Sequence, residues 1–232
     1  MSHAGRAVTL YEGPAYAVGA VAGALAGGAG SPAVVAGLGA AAFGGLDDLV
    51  GDSSSKGLRG HLAAAGRGEL TTGLVKIVGL GATGLCGARM IDRAGQRQGV
   101  LGTLVGGAVI AGSANIVNLL DLRPGRAGKA TLLAAGLVLT RARGWPAAGV
   151  AGATAAMLPA DLGERVMLGD TGANALGAAL GTAIAAAADR PTRTVVFAAV
   201  VALTELSERM SFSAGIEAIP ALRWLDSLGR LA

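Results

Sequence analysis

Charge is what this sequence has least of. Only 15% of its 232 residues are Asp, Glu, Lys or Arg, against about 25% in ordinary globular chains. From Gly13 to Leu46 there is no charged side chain. Histidine is reduced to His3 and His61, and Cys86 is the single thiol, so no intrachain disulfide can form. Cys86 lies within an apolar run and reads as plain packing. No repeat of fixed period and no cleavable secretory signal is evident. So little charge argues against a soluble domain.

What the chain has instead is apolar and small. The apolar fraction is 52%, with 40 glycines, and the mean hydropathy is +0.57. Glycine at this level could indicate a fibrous or disordered chain, but there is no Gly-X-Y period and too much apolar residue for either. In lipid, small residues let helix backbones approach closely. An all-α, polytopic membrane helix bundle accounts for the composition. The net charge is +4. In a soluble protein that would suggest nucleic acid, but here the charges sit in short segments between apolar runs and serve orientation in a membrane.

A spanning helix needs about 20 mostly apolar residues. Eight segments qualify approximately, at 13–30, 32–46, 70–89, 99–120, 128–141, 145–160, 171–188 and 192–209. Breaks fall at Gly30-Ser31-Pro32, Arg143-Gly144-Trp145-Pro146 and Asp189-Arg190-Pro191. Residues 1–209 form the membrane domain and 210–232 a tail. In that tail, Leu222, Trp224 and Leu225 alternate with Arg223, Asp226 and Arg230 over 221–230, the pattern of an interfacial amphipathic helix. About twelve of the nineteen Lys and Arg fall on the face holding both termini and segments 47–69, 121–127 and 161–170, counting Lys76 as snorkelling back to it. The positive-inside rule makes that face, and both termini, cytoplasmic. Trp145 reads as an interface anchor on the other side, and His61 as a loop or headgroup contact.

Acidic residues do not enter that rule, yet they collect on the same face: Asp47, Asp48, Asp52, Asp121, Asp161, Glu164 and Asp170. Polar loops account for Asp161 and Glu164. They account poorly for acids fused to span ends in "GLDDLVGD" (45–52), "NLLD" (118–121) and "LGDT" (168–171), because an ionised group at a membrane edge normally answers to a partner, an ion or a function. In "MLGDTGANALG" (167–177), Asp170 or Thr171 could simply cap the following helix, and Gly177 and Gly181 form a GxxxG packing step. A carboxylate beside bare amides can equally hold a hard cation and a phosphate together. In "SANIVNLLDLRPGRAGKA" (113–130), Asn115, Asn118 and Asp121 share one helix face. With Arg123, Arg126 and Lys129 they read as a site for a phosphorylated polar ligand. "GRAGKAT" lacks the first glycine of a phosphate loop, since Arg123 stands there. "VKIVGLGATGL" (75–85) contains G-x-G-x-x-G, but no alternating strand–helix pattern surrounds it.

Four stretches, "GLDDLVGD", "SKGLRGHL" (55–62), "NIVNLLD" (115–121) and "GDTGANALG" (169–177), occur in the order found in the polyprenyl-phosphate N-acetylhexosamine-1-phosphate transferases, and the chain resembles that family over roughly its first 180 residues. The resemblance implies transfer of a sugar-1-phosphate from a UDP-amino sugar to a polyprenyl phosphate, with Mg²⁺, in cell-envelope glycan synthesis at the plasma membrane. By resemblance, Asp170 matches the metal-binding aspartate. Asp47 and Asp48 match the aspartate pair assigned to the lipid phosphate or the metal. Asn118 and Asp121 match the asparagine–aspartate motif of the nucleotide site, and Lys56 matches the basic residue of the loop after the pair. Asn115, Arg123 and Asn174 complete the candidate substrate-binding set. The family's further aspartate after Asp121 is replaced by Pro124, its serine by Ala173, and its late histidine cluster has no counterpart. The implied partners are the polyprenyl phosphate, the UDP-sugar and membrane lipids, with no nucleic acid and with a homodimer left open. A non-catalytic relative that binds polyprenyl phosphate or scaffolds envelope synthesis is the first alternative. A transporter using the acids as an ion path is the second, and it should carry ionisable groups near mid-span.

Overall fold

The computed structural model describes residues 12–50, 57–95 and 98–230, and among these it contains helices and no strand. In chain order they are α1 (Glu12–Ala26), α2 (Gly30–Val50), α3 (Gly57–Gly66), α4 (Thr72–Arg93), α5 (Gly99–Leu120), α6 (Arg126–Leu139), α7 (Pro146–Leu162), α8 (Gly169–Ala187), α9 (Arg190–Arg209), α10 (Phe212–Ala218) and α11 (Pro220–Ser227). Each of the eight expected segments is a helix. Three of them, α2, α4 and α5, are long and apolar enough to cross a membrane. The dinucleotide-fold alternative is excluded on geometry: Gly79, Gly81 and Gly84 lie inside α4, with no strand before them.

α8 is the axis of the molecule. Every residue from Gly172 to Ala183 is buried. A helix that is apolar on all sides requires neighbours on all sides, and α1, α2, α5 and α6 supply them. The GxxxG step acts as expected: a methyl group on Gly177 would lie 2.4 Å from the carbonyl oxygen of Ser113, and one on Gly181 would lie 2.8 Å from Cα of Ile110. α1 and α7 touch backbone to backbone, with 1.6 Å between a methyl placed on Gly149 and the Gly23 carbonyl oxygen. This is where the glycine content goes. Association of apolar helices in lipid rests on such close packing rather than on burial from water.

Outside this inner layer, large apolar side chains face outward. Leu38, Val78, Leu101, Leu104, Leu133, Leu137 and Val195 are all exposed. Together with the three long apolar helices they suggest association with a membrane. Cys86 belongs to the outer surface too; it is exposed rather than packed inside, which corrects the expectation for it.

The long helices alternate in direction, so their ends gather in two layers. At one end, Arg193 of α9 is buried against Asp92 of α4 at 3.2 Å, and also donates to the carbonyl of Ala185. Asp92 accepts from Thr103 of α5 as well, at 2.6 Å. This buried knot ties α4, α5, α8 and α9. The other end carries the candidate site. There α2 runs on to Val50 instead of stopping near residue 46, so Asp47 and Asp48 are helical residues and not loop residues. Part of the expected loop 47–69 is the helix α3, and the tail is two short helices broken at Pro220.

Candidate functional site

Asp47 and Asp48 are neighbours on α2, and adjacent helical residues point about 100° apart. They take different partners accordingly. Asp47 accepts from Nζ of Lys76, 2.7 Å away on the first turns of α4. The same ammonium bonds to the carboxylate of Asp170 on α8. Lys76 thus stands between two carboxylates from separate helices, and all three side chains are largely shielded, with relative exposures of 16%, 21% and 26% for Lys76, Asp47 and Asp170. One positive charge offsets two negative ones, so the group keeps a net negative charge in a place of low dielectric.

Asp48 turns to the start of α8. Its carboxylate accepts from the backbone amides of Asp170 and Thr171, at 3.0 and 2.9 Å, and from the Thr171 hydroxyl at 2.7 Å. The first amides of a helix have no intrahelical acceptor and carry the positive end of the helix dipole. α8 has no capping side chain of its own, since Leu168 occupies that position. The local capping role open to Asp170 or Thr171 is therefore taken by Asp48 from another helix. Gly44 makes the approach feasible: a methyl there would lie 2.2 Å from the Asp170 carbonyl oxygen. One turn into α8, Asn174 donates to that same carbonyl at 2.7 Å. Its Oδ1 is buried with no hydrogen-bond partner.

Asp121 follows the last turn of α5 and lies near the amide of Gly169. Burial is the main cause that pushes its carboxyl up to about 8, and the nearby negative charges of Asp161, Asp170 and Asp48 add to it, against the Gly169 amide. Asp121 is thus electrostatically part of the same acidic group. Asp161, in the last turn of α7, is only 2% exposed, and its Oδ2 has no hydrogen-bond partner. It was expected to be an ordinary loop acid and is instead a buried carboxylate lining a narrow cleft with Asp121, Arg123 and Glu164.

The remaining candidates have these contacts. Asn115 donates a long, 3.5 Å hydrogen bond to Thr204 of α9, which is an interhelical tie. The Asn118 carbonyl accepts from the Asp121 amide at 3.1 Å and closes α5. Arg123 pairs with Glu217 of α10. Arg126 is buried against Asp226 of α11, and Lys129 is bonded to carbonyls at the end of that helix. The three cations expected to face a phosphorylated ligand together with Asn115, Asn118 and Asp121 are engaged by the C-terminal segment. Lys56 and Asp52 lie outside the described residues. His61 sits in α3 rather than in a loop, with Nδ1 2.9 Å from the Thr71 hydroxyl that caps α4.

Lys76, read from the sequence as snorkelling, and Asp161, read as a loop acid, were not among the expected site residues. For Lys76 a signal existed: it is the one charged side chain between Glu69 and Arg89. A single ammonium inside an apolar run invites the question of which carboxylate meets it. Among the described residues, no group of three or more His, Cys, Asp or Glu is placed to hold a metal ion. No family model, no curated protein and no solved structure matches this chain.

Proposed function

We propose that the chain is a multi-pass plasma-membrane protein of about eight spans, with both termini and the acidic cleft on the cytoplasmic side, and that it transfers a sugar-1-phosphate from a UDP-amino sugar to a polyprenyl phosphate. The observation that carries this reading is the Asp47–Lys76–Asp170 group seated beside the amides at the start of α8. It puts a cation position and an anion position next to each other at the end of an apolar bundle. A substrate pair made of a lipid phosphate and a nucleotide diphosphate needs that juxtaposition.

The donor chemistry suits Mg²⁺. That ion takes one or two carboxylates and completes its shell with water and substrate phosphates, and Asp47 and Asp170 already direct carboxylate oxygens at one common cation, the Lys76 ammonium. Asp47 and Asp170 would hold the ion, and it would supply charge neutralisation on the diphosphate during in-line displacement. The attacking group is a phosphate whose second pKa is about 6, so it arrives ionised and needs no general base. The work left to the protein is to position and to screen charge. Lys76 would move its ammonium from the carboxylates onto a phosphate oxygen. The new bond forms between the lipid phosphate oxygen and the β-phosphorus, the bridge to the α-phosphate breaks, and UMP leaves with the bridging oxygen.

One observation favours the non-catalytic relative as a second reading. Both positions are filled by the chain itself, the cation position by Lys76 and the helix start by Asp48. The test uses the purified full chain with polyprenyl phosphate, Mg²⁺ and a panel of UDP-amino sugars, with UMP release as readout. Release that Asp170→Asn abolishes supports the transferase. Lipid-phosphate binding with no UMP from any donor supports the scaffold.

A further inference from the structure

The C-terminal segment is attached to the bundle by charge and turns apolar side chains outward. Asp226 of α11 is buried in a two-pronged pairing with Arg126, at 2.7 Å from Nε and 3.1 Å from Nη2. Arg126 also donates to Ser213 of α10 at 2.9 Å. Lys129 donates to the carbonyls of Leu225, Asp226 and Leu228, at 3.0, 2.5 and 3.1 Å. A cation on the open carbonyls of a helix C-terminus offsets the negative end of its dipole. So α11 is held at its carboxyl end by two residues from the first turn of α6.

Trp224, on the side of α11 away from Asp226, is 64% exposed, and Leu222, at the edge of the bundle contact, is 41% exposed. This surface is continuous with the bundle's own outer surface, because Leu222 and Leu225 line a cleft of about 170 Å³ together with Leu120 and Leu133. Leu133 and Leu137 of α6 carry the exposed apolar surface onward along the bundle. Arg223 precedes the aromatic residue in sequence, and Arg230 is paired with Asp226 at 3.3 Å. A short amphipathic helix with an outward tryptophan, a neighbouring arginine and an apolar surface that merges with that of long apolar helices suits the headgroup–acyl boundary of a bilayer.

We propose that α11 is a membrane-interface anchor whose exposed Trp224, with Leu222 at its edge, enters the lipid headgroup region, and that the Asp226–Arg126 pair fixes it to the start of α6. The proposal rests on the reading of the chain as a membrane protein, and is independent of any transferase activity. The C-terminal segment thus engages two cations, Arg123 through Glu217 of α10 and Arg126 through Asp226 of α11.

The chain has two tryptophans, so Trp145→Phe leaves Trp224 as the single indole reporter. The full-length variant is placed in phosphatidylcholine nanodiscs whose lipids are brominated either near the carbonyl end or near the methyl end of the acyl chains. Its fluorescence is read with each lipid and with aqueous iodide. The expected result is at least twofold stronger quenching by the shallow bromines than by the deep ones, with iodide quenching reduced severalfold relative to free tryptophan. Strong iodide quenching without bromine quenching overturns the proposal. Protection from both overturns it too, since the indole then lies against protein, such as a second copy. In the same background Asp226→Asn, and separately the milder Arg126→Lys, should reduce shallow quenching at least twofold while helicity is retained. Unchanged quenching in both removes the fixing role. None of these readings depends on UMP release.

Discussion

Asp48 caps a helix to which it does not belong: one of its carboxylate oxygens, Oδ2, accepts from both the amide and the hydroxyl of Thr171, at 2.9 and 2.7 Å. The bond joins α2 to α8, the outer wall of the site to the central helix. It also fills the helix start, the natural place for an anion.

Loss of that cap should be measurable as stability. Removing a capping carboxylate costs about 0.5–2 kcal/mol. Asp48→Ala should therefore lower the thermal midpoint in detergent by a few degrees. Thr171→Val should lower it less, because the amide bond to Asp48 survives. An Asp48→Ala protein as stable as the wild type would show that water or lipid replaces the cap without loss.

Lys76 should compete with divalent cations. Its ammonium occupies the position between Asp47 and Asp170, so a neutral replacement leaves two uncompensated carboxylates facing one point. Lys76→Gln should bind Mn²⁺ at least tenfold more tightly than the wild type when no substrate is present, as read by electron paramagnetic resonance titration. Under the transferase reading the same variant should release UMP at least tenfold more slowly, through loss of a phosphate contact. Equal Mn²⁺ affinity in the two proteins would remove the cation position from the proposal.

Asp121 sets a pH dependence whose sign follows from its environment. Burial and neighbouring carboxylates raise its carboxyl from the ordinary 3.8 to about 8. Between those values the folded chain holds a proton that the unfolded chain has released. Stability should therefore fall as pH rises from about 4 to about 8 and level off above, where both states are ionised. Thermal midpoints measured across that window should show a shallower decline in Asp121→Asn than in the wild type. A parallel decline in both would place the titrating group elsewhere.

The knot at the opposite end should matter for folding and not for the site. Removing one partner of a buried ion pair costs roughly 3–5 kcal/mol, whereas replacing both with apolar groups of similar volume is often neutral. Arg193→Met alone should be strongly destabilised, and the double variant with Asp92→Leu should recover much of the loss. Its lipid-phosphate binding per folded molecule should equal that of the wild type. Impaired binding would mean that the two ends of the bundle are coupled.

Helix existence and type were readable in advance because periodic apolar runs bounded by Gly, Pro and charge are a local property of the chain. The expected segment 99–120 is α5 to the residue. The GxxxG contact of Gly177 and Gly181 was equally local in origin. So was the collection of acids at one end, since alternating helices return to the same side on every second turn. What the residues sit against was not local. Asp161 looked like a loop acid until α7 extended past it. Arg126 and Lys129 looked like ligand cations until α11, about a hundred residues downstream, folded onto them.

By itself, the amino-acid order determined an all-helical chain with apolar segments long enough for a membrane, and it marked Asp47, Asp48, Asp121 and Asp170 as out of place. Tertiary structure alone decided that Asp47 and Asp170 share the Lys76 ammonium, that Asp48 closes α8, and that the C-terminal segment takes the cations of α6. The reason is physical. Helix formation follows from contacts a few residues apart, whereas a buried charge is settled by whichever opposite charge or free backbone amide the packing brings within about 3 Å of it.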